Sequence, residues 1–132
     1  MGASSDFVKS LYAAFGKGDV PTVVGALESG IKWWEAEGTT YAEGNPYVGP
    51  QAVVDGVLAR LGADIEGFTV NAASFIDGGD TVVAEGRYRG KFKATGKLLD
   101  AQFAHVWQLR DRKVVRFQQY TDTKQWVEAA NP

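Results

Sequence analysis

Hydrophobic residues recur at helical spacing in the first half of the chain. An apolar stripe at positions i, i+4 and i+8 predicts a helix over residues 6–15. Asp19 is placed to cap a short second helix, and a third helix is predicted over 50–61, where proline fits the first turn. The stripe of the first helix consists of Phe7, Leu11 and Phe15.

Strands are predicted in the middle and in the second half of the chain. A short strand over 31–36 places Ile31, Trp33 and Glu35 on one face. From residue 67 onward the hydrophobic positions alternate with period two, which is typical of strands. These strands are predicted over 68–76, 81–89, 98–110 and 114–121, with a last helix over 124–129. Helices followed by an antiparallel meander indicate an α+β fold.

The composition excludes several function classes. With 45% hydrophobic and 23% charged residues, the 132-residue chain is balanced for one globular domain, assigned to 1–132. A net charge of −2 argues against a nucleic-acid partner. With no cysteine, one histidine and no glycine-rich phosphate loop, we expect no metal and no cofactor. Without a membrane-length apolar run or a secretory signal, we expect no membrane partner and a cytoplasmic protein.

Four stretches of the sequence carry a family resemblance. They cover 12–19, 33–38 leading to 47–53, 80–86, and 105–111 with 113–117. Together they resemble the nuclear-transport-factor-2-like superfamily, in its SnoaL-like polyketide cyclase and ketosteroid-isomerase-like branch. The resemblance implies a cystatin-like α+β barrel, in which a strongly curved antiparallel sheet forms a cone around three N-terminal helices. It further implies a ligand pocket inside the cone and dimers formed through the outer face of the sheet.

The last hairpin can be phased from its turn. If Asp111 and Arg112 form a two-residue turn, residue i pairs with residue 223 − i. The family pattern then places inside the cone Gln102, Ala104, Val106, Phe117, Gln119 and Thr121. The opposite face carries Phe103, His105, Trp107 and Tyr120, and so much outward aromatic surface predicts a homodimer. A three-residue loop would shift the register by one and exchange the two faces.

Glu35 is the sharpest catalytic candidate. It follows two tryptophans on a strand, and the resemblance places it where ketosteroid isomerases carry their catalytic aspartate. A carboxylate among aromatic walls has a raised pKa, which suits a general base near neutral pH. The alternative interpretation is that Glu35 lies at the end of the strand, where its carboxylate is solvated or paired with a lysine.

The other acids of the related enzymes are missing. Gln119 stands where some cyclases and the epoxide hydrolases carry an aspartate, and an amide can only orient a ligand or a water. By the same resemblance, Ala104 stands at the position of the second acid of the ketosteroid isomerases. The tyrosine that these isomerases carry on the first helix corresponds to a position near Leu11, next to Tyr12. The hydrolase arginine and aspartate are replaced by Gly86 and Tyr88.

His105 is the only histidine and the alternative catalytic candidate. In the 223 − i register it faces outward, as a packed or interface residue. If the faces are exchanged, it becomes an acid or base in the pocket, and Asp122 could orient it. Asp122 is otherwise placed to cap the last helix.

Two functions remain open at this point. One is a cofactor-independent isomerase-, cyclase- or lyase-type enzyme that moves a proton on a hydrophobic, oxygenated or polycyclic ligand. The other is a non-catalytic ligand-binding or dimerisation module with the same fold. In either case the predicted pocket residues are Tyr12, Trp33, Tyr88, Gln102, Phe117 and Gln119.

Overall fold

Five α-helices, one π-helical turn and one 3-10 turn (Thr40–Gly44) are seen in the computed structural model, which describes residues 2–132; Met1, the first residue of the predicted domain, lies outside the described residues. The first two helices are α1 (Ala3–Gly16) and α2 (Val20–Gly25), and Asp19 caps α2 through the amide of Thr22. The third predicted helix is divided into α3 (Pro50–Val53), a π-helical turn (Val54–Leu58) and α4 (Ala59–Asp64). Helix α5 (Thr123–Ala130) follows the last strand.

One curved, unclosed six-stranded sheet packs against these helices. Its strands are β1 (Leu27–Trp34), β2 (Tyr47–Val48), β3 (Ile65–Asp77), β4 (Thr81–Phe92), β5 (Leu98–Arg110) and β6 (Lys113–Thr121). The order across the sheet is β2-β1-β6-β5-β4-β3. The predicted meander of β3 to β6 is antiparallel throughout, whereas β1 joins β6 in parallel. The architecture confirms the predicted α+β cone, with this one parallel pair inserted.

The predicted register of the last hairpin is wrong beyond its first two pairs. Asp111 and Arg112 form the two-residue turn, with φ of 52° and 60° in the left-handed region. Arg110 and Leu109 then pair with residues 113 and 114 as expected. A β-bulge at Val115 shifts every later pair to i and 224 − i, so that His105 lies opposite Gln119.

The bulge exchanges the faces of β5. Phe103, His105 and Trp107 point into the cone and are buried, contrary to the outward placement predicted for them. The strand positions between them, Gln102, Ala104 and Val106, were predicted to point inward and lie instead on the outer face. Thr121, which pairs with Phe103, is half-exposed and outside the buried core. Phe117 and Gln119 are buried as predicted. The bulge changes which residues of β5 lie opposite them, but not the face of the sheet on which they lie.

The curvature of the sheet depends on close backbone approach at Gly86 in β4. A Cβ atom at this position would lie 1.9 Å from the carbonyl oxygen of Asn71, on the neighbouring strand β3. The pairing of β3 with β4 is interrupted next to this contact, between Ala72 and Ser74. Glycine therefore allows β3 to fold closely over β4, and the inner face becomes concave.

Within residues 2–132, no helix combines the length and the apolar character needed to cross a membrane.

Candidate functional site

A cavity of about 60 Å³ lies between the helices and the inner face of the sheet. Its wall is mostly apolar, with side chains from α1, the π-helical turn, α4 and strands β1, β3, β4, β5 and β6. The polar residues on this wall are Tyr12, Glu35, Tyr88, His105 and Gln119. A cavity of about 150 Å³ holds benzene, so the cavity in its present shape is too small for the polycyclic ligand considered from the sequence.

Glu35 is pinned by its backbone directly after β1. Its N–H donates to Oδ1 of Asn45 at 2.9 Å, and its carbonyl accepts from Nδ2 of the same amide at 2.7 Å. The next amide, of Ala36, donates to Oε1 of Gln119 at 2.9 Å. The loop after β1 and strand β6 thus fix where the Glu35 side chain begins.

The carboxylate of Glu35 is buried in this wall, with 3% of the residue exposed. Its Oε2 accepts a hydrogen bond from the indole of Trp33 at 2.7 Å. Every side-chain nitrogen or oxygen that is sealed from water within residues 2–132 has a hydrogen-bond partner. Because Oε1 accepts no hydrogen bond from these residues, it must face open space, and Glu35 lines the cavity. One carboxylate oxygen is therefore held, and the other is free to meet a ligand.

Burial raises the pKa of Glu35 from 4.5 to about 7, although the hydrogen bond from Trp33 acts in the opposite direction. Desolvation penalises the charged carboxylate more than one neutral donor stabilises it. The carboxylate and the carboxylic acid are then both populated near neutral pH. A group in this state can accept a proton and release it again.

A chain of hydrogen bonds forms the polar side of the cavity. The hydroxyl of Tyr12 lies 2.6 Å from Nδ1 of His105, and the hydroxyl of Tyr88 contacts Nε2 of the same ring. The indole of Trp107 donates to the Tyr12 hydroxyl at 2.9 Å. Nε2 of Gln119 donates to the Tyr88 hydroxyl at 2.8 Å. His105 is thus held between two tyrosines, each of which accepts a hydrogen bond from a neutral N–H group.

His105 is in the cavity wall, but it is poorly suited to act as an acid or base near neutral pH. Burial lowers its pKa from 6.5 to about 3, so the ring is neutral. Asp122 does not orient it, contrary to the alternative drawn from the sequence. The Asp122 side chain instead accepts from the amide of Gln125 and caps α5, and the two tyrosines orient the histidine.

The structure brings together most of the pocket residues predicted from the sequence. Trp33 stacks on Phe117 at 3.8 Å between ring centroids, and both line the cavity together with Tyr12, Tyr88 and Gln119. Gln102 is the exception: it is exposed on the outer face, and its assignment to the pocket is wrong because of the bulge. Trp107 was missed as a cavity residue for the same reason.

A family model for the SnoaL-like domain matches residues 8–117, which is most of the chain. No curated protein matches the chain.

Among solved structures, an NTF2-like protein from Burkholderia thailandensis E264 is 34% identical, with a TM-score of 0.91 and 96% of each chain covered. An NTF2-like protein of unknown function from Burkholderia pseudomallei K96243 is 24% identical over the whole of both chains, with a TM-score of 0.90. TerC, co-crystallised with polyporic acid, is 25% identical over 95% of each chain, with a TM-score of 0.82. The chain belongs to the SnoaL-like domain family of the nuclear-transport-factor-2-like superfamily.

Proposed function

We propose that this SnoaL-like domain is a cofactor-independent enzyme that transfers a proton on a small, mostly hydrophobic ligand, with Glu35 as the general base. A single observation carries the proposal: Glu35 is a buried carboxylate on the wall of the cavity, and Trp33 holds one of its two oxygens. An isomerase- or cyclase-type reaction needs such a group, because it removes a proton from one atom and returns one to another.

The reaction step follows from the state of Glu35. As a carboxylate, Oε1 takes a proton from a carbon next to a carbonyl group, and the C–H electron pair moves into the carbonyl to give an enolate. Glu35 is then a neutral carboxylic acid and returns the proton to another carbon of the same ligand. A pKa of about 7 keeps both directions accessible near neutral pH.

The ligand class follows from the wall of the cavity. Apolar and aromatic side chains dominate, and no lysine or arginine lines it, so it favours an uncharged hydrophobic molecule. Co-crystallisation of TerC with polyporic acid supports the binding of organic small molecules by this fold. The cavity is smaller than one that holds benzene, so even a small ring such as cyclopentanone has to displace side chains of the wall when it binds.

A non-catalytic ligand-binding module is the second candidate. It is favoured by the neutrality of the other polar groups on the wall, since His105, Tyr12 and Tyr88 do not titrate near pH 7. In that case Glu35 is only a buried polar contact for the ligand.

Hydrogen–deuterium exchange separates the two candidates. Cyclopentanone in D₂O is incubated with the protein, and deuterium incorporation next to the carbonyl is followed by NMR. We expect catalysed exchange by the wild type and a loss of ~10²-fold or more in Glu35→Gln, the usual scale for a general base. Glutamine keeps the shape and the acceptor for Trp33 but not the basicity.

Glu37→Gln is the matched control, because this carboxylate is exposed and lies two residues away. It should exchange cyclopentanone like the wild type. If cyclopentanone binds but its deuterium exchange is no faster than in buffer, the proposal of an enzyme is wrong and the ligand-binding module is the function that remains. An equal rate in wild type and Glu35→Gln would remove Glu35 as the base.

A homodimer formed through the outer face of the sheet and a cytoplasmic location complete the proposal. Burial of Phe103 and Trp107 removes two of the aromatics on which the dimer was predicted. Support now comes from Tyr120, which stays on the outer face, together with four further outer-face residues, Trp34, Ile76, Val83 and Val106. They leave apolar surface on the face of the sheet opposite the cavity.

A further inference from the structure

Five hydrogens are available for four hydrogen bonds along the polar side of the cavity. The donors are one N–H each of Trp107, Gln119 and neutral His105, and the O–H groups of Tyr12 and Tyr88. The contacts are Trp107 to Tyr12, Tyr12 to His105, His105 to Tyr88, and Gln119 to Tyr88. One tyrosine hydroxyl hydrogen is therefore left over.

The two ends of this chain are fixed. The indole of Trp107 can only donate. The amide of Gln119 is oriented by Ala36, whose N–H donates to Oε1, so that Nε2 faces Tyr88. Both tyrosine oxygens therefore accept one hydrogen bond before His105 is considered.

The tautomer of His105 decides which tyrosine keeps its hydrogen. If Nε2 carries the proton, it donates to Tyr88, and Tyr12 donates to Nδ1. The hydroxyl hydrogen of Tyr88 is then unused. If Nδ1 carries the proton, Tyr88 donates to Nε2 and the hydrogen of Tyr12 is unused. Within residues 2–132, neither hydroxyl has another acceptor at hydrogen-bond distance.

The charge of Glu35 favours the first arrangement. Glu35 and Tyr88 line the same cavity, and Gln119 lies between them, because its Oε1 accepts from the amide directly after Glu35 and its Nε2 donates to the Tyr88 hydroxyl. In agreement, the carboxylate adds to burial in raising the pKa of Tyr88, whereas burial is what raises the pKa of Tyr12. Tyr41, on the turn after β1, also lies near Glu35, and its raised pKa keeps it neutral. Asp64 and Arg60 act on Tyr41, whereas among the described residues the charge that acts on Tyr88 is that of Glu35. Ionised Glu35 attracts the positive end of a free Tyr88 O–H dipole.

We propose that His105 is a positioning residue that holds the Nε2–H tautomer, and that the free Tyr88 hydroxyl donates to an acceptor oxygen on the ligand. The ligand accordingly carries an acceptor oxygen, such as that of a ketone, and is not a pure hydrocarbon. This inference takes from the proposed function only that the cavity binds the ligand. The tautomer can be tested without any ligand.

The first experiment uses the fact that His105 is the only histidine. In protein labelled with ¹⁵N-histidine, NMR at pH 8 distinguishes the protonated from the unprotonated ring nitrogen without assignment by mutation. We expect a neutral ring with the proton on Nε2. A proton on Nδ1, or a charged ring, would overturn the proposal.

The second experiment compares cyclopentanone with cyclopentane, which has a similar shape but no oxygen. Tyr88→Phe removes the donor, and we expect it to weaken cyclopentanone binding by several-fold to about tenfold, the scale of one net hydrogen bond. Cyclopentane binding should change little. Tyr120→Phe, at an exposed position on the outer face, is the matched control and should bind both like the wild type.

Equal loss of both ligands in a folded Tyr88→Phe protein, or no loss of either, would contradict the role of the Tyr88 hydroxyl. If this variant does not fold, the carbonyl ¹³C shift of labelled cyclopentanone bound to the wild type gives the same answer. A donated hydrogen bond displaces this shift from its value in an apolar solvent. Neither result depends on deuterium exchange, so a failed base and a failed hydroxyl donor remain distinguishable.

Discussion

Glu35 shows how one side chain can combine fixed position with adjustable charge. Its backbone is held by Asn45 and its neighbour by Gln119, while Trp33 holds one carboxylate oxygen. The same burial that makes the carboxylate a base makes its ionisation costly to the fold. The identity of this candidate was accessible from the sequence, because an alternating strand with two tryptophans places it on the inner face.

We expect Glu35 to reduce the stability of the protein as the pH rises. Its folded pKa of about 7 lies above the unfolded value of 4.5. Stability contributed by the protonated form is therefore complete below pH 4.5 and is lost as the pH rises through 7. A shift of this size corresponds to about 3 kcal/mol. Glu35→Gln should escape this loss, so its stability relative to wild type should rise by about 2.5 kcal/mol between pH 5 and pH 8 in urea unfolding.

His105 makes this comparison between variants necessary. Burial lowers the pKa of His105 to about 3, so its neutral ring is the form that the folded state favours. The contribution of this ring to the stability of the protein is complete above pH 6.5 and is lost as the pH falls through 3. Over part of the range it opposes Glu35 in the wild-type curve, but it is common to both proteins and cancels in their difference. Glu37→Gln, at an exposed position, should follow the wild type. Parallel curves for wild type and Glu35→Gln would show that Glu35 is not desolvated.

At the scale of elements, the sequence predicted the long helices and strands, but it placed β1 at 31–36 rather than at Leu27–Trp34 and did not predict the short strand β2 or the irregularities within the other elements. The two-residue turn at Asp111 and Arg112 was predicted correctly, whereas the bulge at Val115 was not. A bulge adds one residue without interrupting the alternating pattern enough to be read from β6 alone. Strand β5 carried the missing signal: Asp100 and Gln102 alternate with large apolar residues, which places the apolar set inside.

The hydrogen-bonded chain around His105 could not be predicted for the same reason. It needs the faces of β5 and β6 in their true register, with His105 opposite Gln119. It also needs the curvature that brings Tyr12 of α1 and Tyr88 of β4 to the same ring. Both are consequences of bulges and close backbone contacts, which leave little trace in the order of polar and apolar residues.

Gly86→Ala tests the origin of the curvature. Since the added methyl group would lie 1.9 Å from the Asn71 carbonyl oxygen, β3 and β4 must separate, and we expect a destabilisation of several kcal/mol, within the range of overpacking and broken strand pairing. Gly62→Ala is the control, because nothing lies within 4 Å of its added methyl group and the residue is in α4. This change should stabilise the protein by about 0.5–1 kcal/mol. Similar unfolding free energies for the two variants would contradict the close-contact explanation.

At the scale of the whole molecule, the two faces of the sheet have different surroundings. The inner face encloses the cavity and is covered by α1, the π-helical turn and α4. On the outer face, paired residues of four adjacent strands place Ile76, Val83, Val106 and Gln118 in one row, and Trp34 continues it on β1. Ion pairs such as Arg87 with Asp100 lie on the same face beside this row.

We expect this row to be the centre of a homodimer interface. Ile76 is 58% exposed and Tyr120 is 56% exposed, on a strand surface where an apolar band with charged neighbours is typical of a contact between subunits. Val106→Lys places a charge in the middle of the band and should convert the dimer to a monomer at tens of micromolar in sedimentation velocity. Val127→Lys, at an exposed position on α5 away from the sheet row, should leave the dimer intact. Because Val106 lies on the face opposite the cavity, the Val106→Lys monomer should keep its affinity for cyclopentanone. A wild-type protein that sediments as a monomer at this concentration would show that the outer face is an ordinary surface and would leave the cavity proposals untouched.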